Sequence, residues 1–120
     1  AIFRGVLDVR AKTVTDDMCI AAAQELARYA EERGMHEEDI LPRMEEWEVF
    51  PLEAVACALK SIDEGTARIK PSRKELHEKA TAIIQNSRES LKLLMKQGLI
   101  KPMPPEEKLL KKLNQQRIRT

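Results

Sequence analysis

The residue types that most often bind metals are few and widely spaced in this sequence. The histidines are His36 and His77, and the cysteines are Cys19 and Cys57, which lie 38 positions apart. Zinc sites usually bring two such ligands within a few residues of each other, and no pair here has that spacing. Both cysteines lie in alanine-rich stretches, so we expect buried free thiols in a reducing compartment. No residue is predicted to ligate a metal.

Patterns for cofactor binding and nucleophilic catalysis are also missing from the sequence. A phosphate-binding loop needs clustered glycines, whereas the four glycines here are far apart. No serine, cysteine or lysine has a plausible general base beside it. The acidic run Glu37–Asp39 is interpreted as a solvated loop rather than a cation site, and His77 as a surface histidine. The sequence therefore predicts no catalytic and no cofactor-binding residue.

Charge is distributed unevenly, although the net charge is only +1. Residues 1–70 carry a net −6 and residues 71–120 a net +7. Such a split is typical of a nucleic-acid-binding tail, or of two halves that attract each other within or between chains. Nucleic acid is the less favoured partner, because Glu75, Glu78 and Glu89 interrupt the basic residues and no aromatic stacking platform lies among them.

Composition predicts one soluble helical segment. Of the 120 residues 42% are hydrophobic, but only 3% are aromatic, so the core must be aliphatic. No apolar run approaches the ~20 residues of a membrane span, and no charged-then-apolar leader opens the sequence. We therefore expect a cytoplasmic chain with no membrane partner.

Capping residues and apolar periodicity predict the first two helices. Either Thr13 or Thr15 can cap the first helix, which continues with an alanine-rich stripe from Met18 to a stop at Gly34. Residues 35–50 are predicted to be irregular. Pro51 then opens the second helix, whose apolar stripe ends near Gly65.

A third, long helix is predicted to begin at a capping box formed by Ser72 and Glu75 and to end near Gly98. A fourth candidate helix follows three prolines, over residues 106–116. Strand signals are slight, although Ile2 and Phe3 are interpreted as the end of a strand. The predicted fold class is all-α, with three to four helices of which the third is long.

The first 13 residues carry the most specific pattern. Residues 2–13 read IFRGVLDVRAKT and precede an alanine-rich helix, and WEVFPLEAVA follows at residues 47–56 after Ile40-Leu41-Pro42. These blocks, in this order, resemble a stretch of prokaryotic and archaeal malic enzymes. The resemblance covers residues 1–65, with residues 72–120 continuing as C-terminal helices. It implies the C-terminal helical part of a dinucleotide-binding α/β domain.

Malic enzymes oxidatively decarboxylate malate to pyruvate, using NAD or NADP and a divalent metal. In the family, the acid–base residues, the metal ligands and the glycine-rich turn all lie N-terminal to the resembling segment. The resemblance therefore implies that this chain is a structural segment without catalytic, cofactor-binding or metal residues of its own. Arg4, Arg10 and Lys12 receive no ligand role.

The long third helix is predicted to supply an interface. Its apolar residues repeat at nearly heptad spacing over more length than two shorter helices can cover, and exposed apolar patches commonly mark interfaces. The predicted seam of a homo-oligomer, most simply a two-fold dimer, consists of Leu76, Ile83, Ile84, Leu91 and Leu94. The remainder of the parent enzyme is the other expected partner. An independent helical module that binds protein or nucleic acid remains the alternative.

Overall fold

A computed structural model of the chain describes residues 1–102, and within this range the protein is all-α. The four helices of this range are α1 (Ile2–Asp8), α2 (Asp16–Arg33), α3 (Val49–Asp63) and α4 (Arg73–Lys96). The predicted fold class is thus confirmed. The chain divides into two compact units, Ala1–Asn86 and Ser87–Thr120, and the boundary between them lies inside α4. The candidate helix over residues 106–116 lies outside the described residues.

Helix α1 replaces the predicted end of a strand, and that prediction was wrong. Ile2 and Val6 pack against the buried side chains of Met18, Ala22 and Cys57. Gly5 allows α1 to pack closely on α3, because a Cβ atom at this position would lie 2.3 Å from the carbonyl oxygen of Ala54. Tertiary packing therefore stabilises a seven-residue helix that is too short to be stable alone.

Helices α2 and α3 follow their local signals. Thr15 is the residue that caps α2, since its side chain accepts a hydrogen bond from the backbone N–H of Met18 at 3.2 Å. Helix α3 begins two residues before Pro51, which still lies in the first turn, where the missing N–H has no helical acceptor to bond. Buried side chains of α3 contribute to both core clusters, which makes α3 the central helix of the first unit.

The capping box at the start of α4 forms as predicted. The Ser72 hydroxyl accepts from the backbone N–H of Glu75 at 3.3 Å, and the Glu75 carboxylate accepts from the backbone N–H of Ser72 at 2.8 Å. The pKa of Glu75 is lowered by the hydrogen bond that its carboxylate accepts from the Ser72 backbone N–H, and further by the one that it accepts from the Ser72 hydroxyl at 2.7 Å. The first core cluster then joins the start of α4 to earlier segments; it consists of Val9, Val55, Ala58, Ala67 and Leu76.

Backbone hydrogen bonds hold the α3–α4 connection against the end of α1. The N–H groups of Arg68 and Ile69 both donate to the carbonyl oxygen of Val9, at 3.0 and 3.2 Å. The Thr66 carbonyl accepts from Lys12 N–H at 3.0 Å. The chain that follows α3 is therefore ordered, and it fixes where α4 begins.

Candidate interface

The predicted seam on α4 divides into a buried and an exposed part. Leu76 is only 2% exposed and lies in the chain's own core, so its assignment to an intermolecular seam is corrected. Ile84 is half-buried, whereas Ile83, Leu91 and Leu94 are exposed. The spacing of apolar residues could not predict which of them are buried, because it is the same on both sides of the unit boundary at residue 86.

Exposed apolar side chains beyond the predicted seam enlarge the candidate interface. Leu91 is 51% exposed, and it has further exposed apolar neighbours in the sequence, namely Leu93, Met95, Leu99 and Ile100. On α1, Phe3 is 76% exposed and Leu7 is also exposed. Each of the two sets is a candidate interaction surface, because clustered exposed apolar side chains commonly mark one.

A buried carboxylate anchors the start of α4. Asp8, 2% exposed, is bound by the guanidinium of Arg4, with N–O distances of 2.6 and 3.0 Å, and by the Lys79 ammonium of α4 at 3.0 Å. A buried carboxylate requires such partners, because desolvation otherwise disfavours its charged form. The sequence indicates the Arg4–Asp8 ion pair, because the two residues are four positions apart. It does not indicate the pair with Lys79, which lies 71 positions after Asp8.

The irregular segment between α2 and α3 is organised by Arg33. Its guanidinium donates to both carboxylate oxygens of Asp39 at 3.0 and 3.1 Å, to Glu46 at 3.1 Å and to the carbonyl oxygen of Leu41 at 3.3 Å. The pKa of Asp39 is lowered, chiefly by its hydrogen bonds to Arg33. With the backbone held in this way, the segment exposes the apolar side chains of Met35, Ile40, Leu41 and Met44.

The two thiols differ in burial, so the expected burial is confirmed for Cys57 and wrong for Cys19. Both are free; Cys57 is buried and Cys19 is half-buried. Burial, with a smaller contribution from Cys19, raises the pKa of Cys57 to about 11. Its Sγ donates to the carbonyl oxygen of Ile2 at 3.6 Å. Because the thiolate is the reactive form, Cys57 is a packing residue rather than a nucleophile.

The described residues offer little for small-molecule or metal chemistry. An open groove of about 440 Å³ lies beside α4 and is lined by Val55, Arg73, Lys74, His77 and Glu78. Only Val55 among these is buried, and His77 is exposed, as expected for a surface histidine. Within residues 1–102, no group of three or more His, Cys, Asp or Glu side chains could hold a metal ion. No helix in this range is long and apolar enough to cross a membrane.

Comparison with known proteins finds helices similar to these in malic enzymes, which are longer than this chain. No family model matches the chain. It is 38% identical to the malic enzyme of Entamoeba histolytica, whose crystal structure superimposes with a TM-score of 0.82 over 86% of this chain and 21% of that one. This chain is related to malic enzymes.

Two further comparisons agree. The malic enzyme of Pyrococcus horikoshii OT3 superimposes with a TM-score of 0.71 at 38% identity, over 80% of this chain and 22% of that one. The bifunctional malic/malolactic enzyme of Bacillus subtilis (strain 168) is 36% identical over 78 residues, which are 65% of this chain and 19% of the relative. The resemblance to a C-terminal segment of malic enzymes is confirmed, and the chain spans about a fifth of the length of these relatives.

Proposed function

We propose that this chain is a non-catalytic C-terminal segment of a malate oxidoreductase, with a structural and interface role. The observation that carries the proposal is the match itself. At least 80% of the chain superimposes on malic enzymes, while covering only about a fifth of their length. A segment of this size with a packed core and exposed apolar surfaces is suited to assembly.

The parent reaction is the oxidative decarboxylation of malate to pyruvate with NAD or NADP and a divalent metal. We assign the cofactor and the metal to the remainder of the parent enzyme, because this sequence has neither a glycine-rich phosphate loop nor metal-ligand spacing. The free thiols of Cys19 and Cys57 suit a reducing compartment, which supports a cytoplasmic location.

The interface role is assigned to α4. Ile83, Ile84, Leu91 and Leu94 form the proposed seam of a homo-oligomer, most simply a two-fold dimer, with Leu76 removed from the predicted set. Each large aliphatic side chain left in water forfeits roughly 1.5–3 kcal/mol, so burial of a few of them can determine the oligomeric state. The exposed Phe3 and Leu7 of α1 are assigned to contact with the remainder of the parent enzyme.

A graft tests the segment directly. Replacing the matching segment of the Bacillus subtilis enzyme with this chain's residues should retain malate-dependent reduction of NAD or NADP. A matched graft carrying Gly5→Leu should lose it, because the new side chain cannot fit beside Ala54. A folded graft of native mass that has no activity would contradict the proposal.

The 120-residue chain alone provides the complementary test. It should show no malate-dependent dinucleotide reduction, and titration calorimetry with NAD should detect no saturable binding. Micromolar affinity for NAD would show that the chain itself holds the cofactor and would overturn its non-catalytic assignment.

A further inference from the structure

The second half of α4 combines an apolar stripe with positive charge. Residues 87–102, which include the end of α4 and the six residues after it, contain four basic side chains and one acidic side chain. Lys92 and Lys96 lie four residues apart, so they share one side of the helix, beside Leu91 and Met95. All four side chains are exposed. We call these four residues the basic face.

The segment between α2 and α3 has the opposite charge and a similar apolar character. Residues 31–48 contain eight acidic and two basic side chains. Arg33 and Arg43 pair with Asp39, which leaves Glu37 and Glu38 without an ion pair among the described residues. Ile40, Leu41 and Met44 lie in the same segment, and Met44 is 76% exposed. We call Glu37, Glu38, Ile40, Leu41 and Met44 the acidic surface.

From this complementarity we infer that two copies of the chain form a dimer by reciprocal docking, in which the basic face of each copy lies on the acidic surface of the other. This inference rests on the proposed interface role of α4 and names a partner surface for the part of the helix around Leu91, the residue that the seam and the basic face share. Apolar contact supplies most of the affinity, while the opposite charges select the partner surface and speed association.

A second copy is the occupant because each chain carries both surfaces. In a two-fold dimer, every contact between a basic face and an acidic surface occurs twice. Stable interfaces bury about 1,600 Å² in total, or about 800 Å² per partner. Because each chain contributes two separate patches to the dimer, neither patch has to supply this area alone.

Charge reversal on each surface tests the inference. The helix variant is Lys92→Glu with Lys96→Glu, and the loop variant is Glu37→Lys with Glu38→Lys. Each variant places like charges on both copies of the contact, so each should raise the dimer Kd by about tenfold or more in low salt. Sedimentation velocity measures the Kd, and circular dichroism checks that the exposed substitutions leave the fold intact.

Mixing the two variants is the decisive step. In a mixed dimer, the reversed helix of one chain meets the reversed loop of the other, and the second contact pairs the two wild-type surfaces. Both contacts are then complementary again, so the mixture should recover a Kd within about threefold of the wild type. The matched control for the helix variant, Lys70→Glu with Lys74→Glu, lowers the net charge by the same amount at exposed positions outside both surfaces. It should leave the wild-type Kd unchanged within about twofold.

Three results would overturn the inference. A monomeric wild-type chain would show that no second copy docks. A dimer unaffected by the loop variant would point to a seam between two α4 helices without the acidic surface. If both variants are folded and their mixture does not recover the wild-type Kd, the basic face of one chain does not pair with the acidic surface of the other. All three leave the assignment to a malic enzyme segment intact, since that assignment is tested by the graft.

Discussion

In the first half of α4, Leu76 and Ala80 are buried in the core of the first unit, whereas in the second half Leu91 and Leu94 are exposed. The two halves have the same apolar spacing and the same helical conformation. What differs is the surroundings: Val9 at the end of α1, helix α3 and the α3–α4 connection pack against Leu76 in the first half, and Asp8 of α1 binds Lys79 there. The comparison shows that an apolar stripe gives a helix its capacity for burial, while the rest of the chain determines which part of the stripe remains available for assembly.

The largest expected effect comes from breaking the packed half at Gly5. Gly5→Ala places a Cβ atom 2.3 Å from the Ala54 carbonyl oxygen, and a backbone atom cannot move aside as a side chain can. We expect a loss of about 3 kcal/mol or more in the free energy of unfolding, measured by urea denaturation.

Gly65→Ala is the control for that substitution. Gly65 has φ +73° but open space around it, so alanine there should cost only the left-handed conformation, about 1–2 kcal/mol. Equal losses for the two variants would mean that α1 does not pack closely on α3.

Truncating one leucine in each half of α4 tests the comparison itself. Leu76→Ala should lower the free energy of unfolding of the chain by about 2–4 kcal/mol, because it leaves a cavity in the core. Leu91→Ala should lower the free energy of unfolding of the monomer by less than about 1 kcal/mol, because its side chain is already exposed. The same substitution should weaken the dimer. Urea titration at low and high protein concentration separates the two effects. A large, concentration-independent loss for Leu91→Ala would contradict the division of α4.

The anchor between α1 and α4 has a smaller expected effect. Asp8→Ala leaves Arg4 and Lys79 without their shared carboxylate, and we expect a loss of about 2 kcal/mol, since both cations remain partly hydrated. Lys74→Ala, which removes an exposed pair with Glu78 at 3.8 Å, should cost less than about 0.5 kcal/mol. Thermal unfolding of the two variants compares them, and similar losses would show that burial of Asp8 adds nothing.

The labelling rates of the two thiols test their different burial without any mutation. Because burial raises the pKa of Cys57 to about 11, its thiolate is scarce at pH 8 and increases only as the pH approaches 11. Cys19 is half-buried and should therefore react first with a maleimide, while Cys57 should react only at the rate of unfolding. Mass spectrometry of tryptic peptides identifies which thiol is labelled. Equal rates at pH 8 would contradict the burial of Cys57.

Local signals in the sequence were sufficient for much of this fold. The Ser72–Glu75 capping box and the stripe of α3 depend on neighbours within one or two helical turns, so their spacing predicts them. Helix α1 could not be predicted in the same way, because it depends on the approach of Gly5 to Ala54, 49 positions away. Burial of Leu76 likewise depends on Val9 and Val55. Long-range packing was therefore the missing information, for the fold and for the interface alike.

The mass of the 120-residue chain in solution tests the central claim, that the exposed part of α4 assembles copies of the chain. Static light scattering at micromolar concentration should give twice the 13.7 kDa mass of one chain. Leu91→Asp should return the mass to that of one chain, since a carboxylate at the centre of the exposed stripe opposes its burial. A compact, folded wild-type monomer of 13.7 kDa would contradict the account.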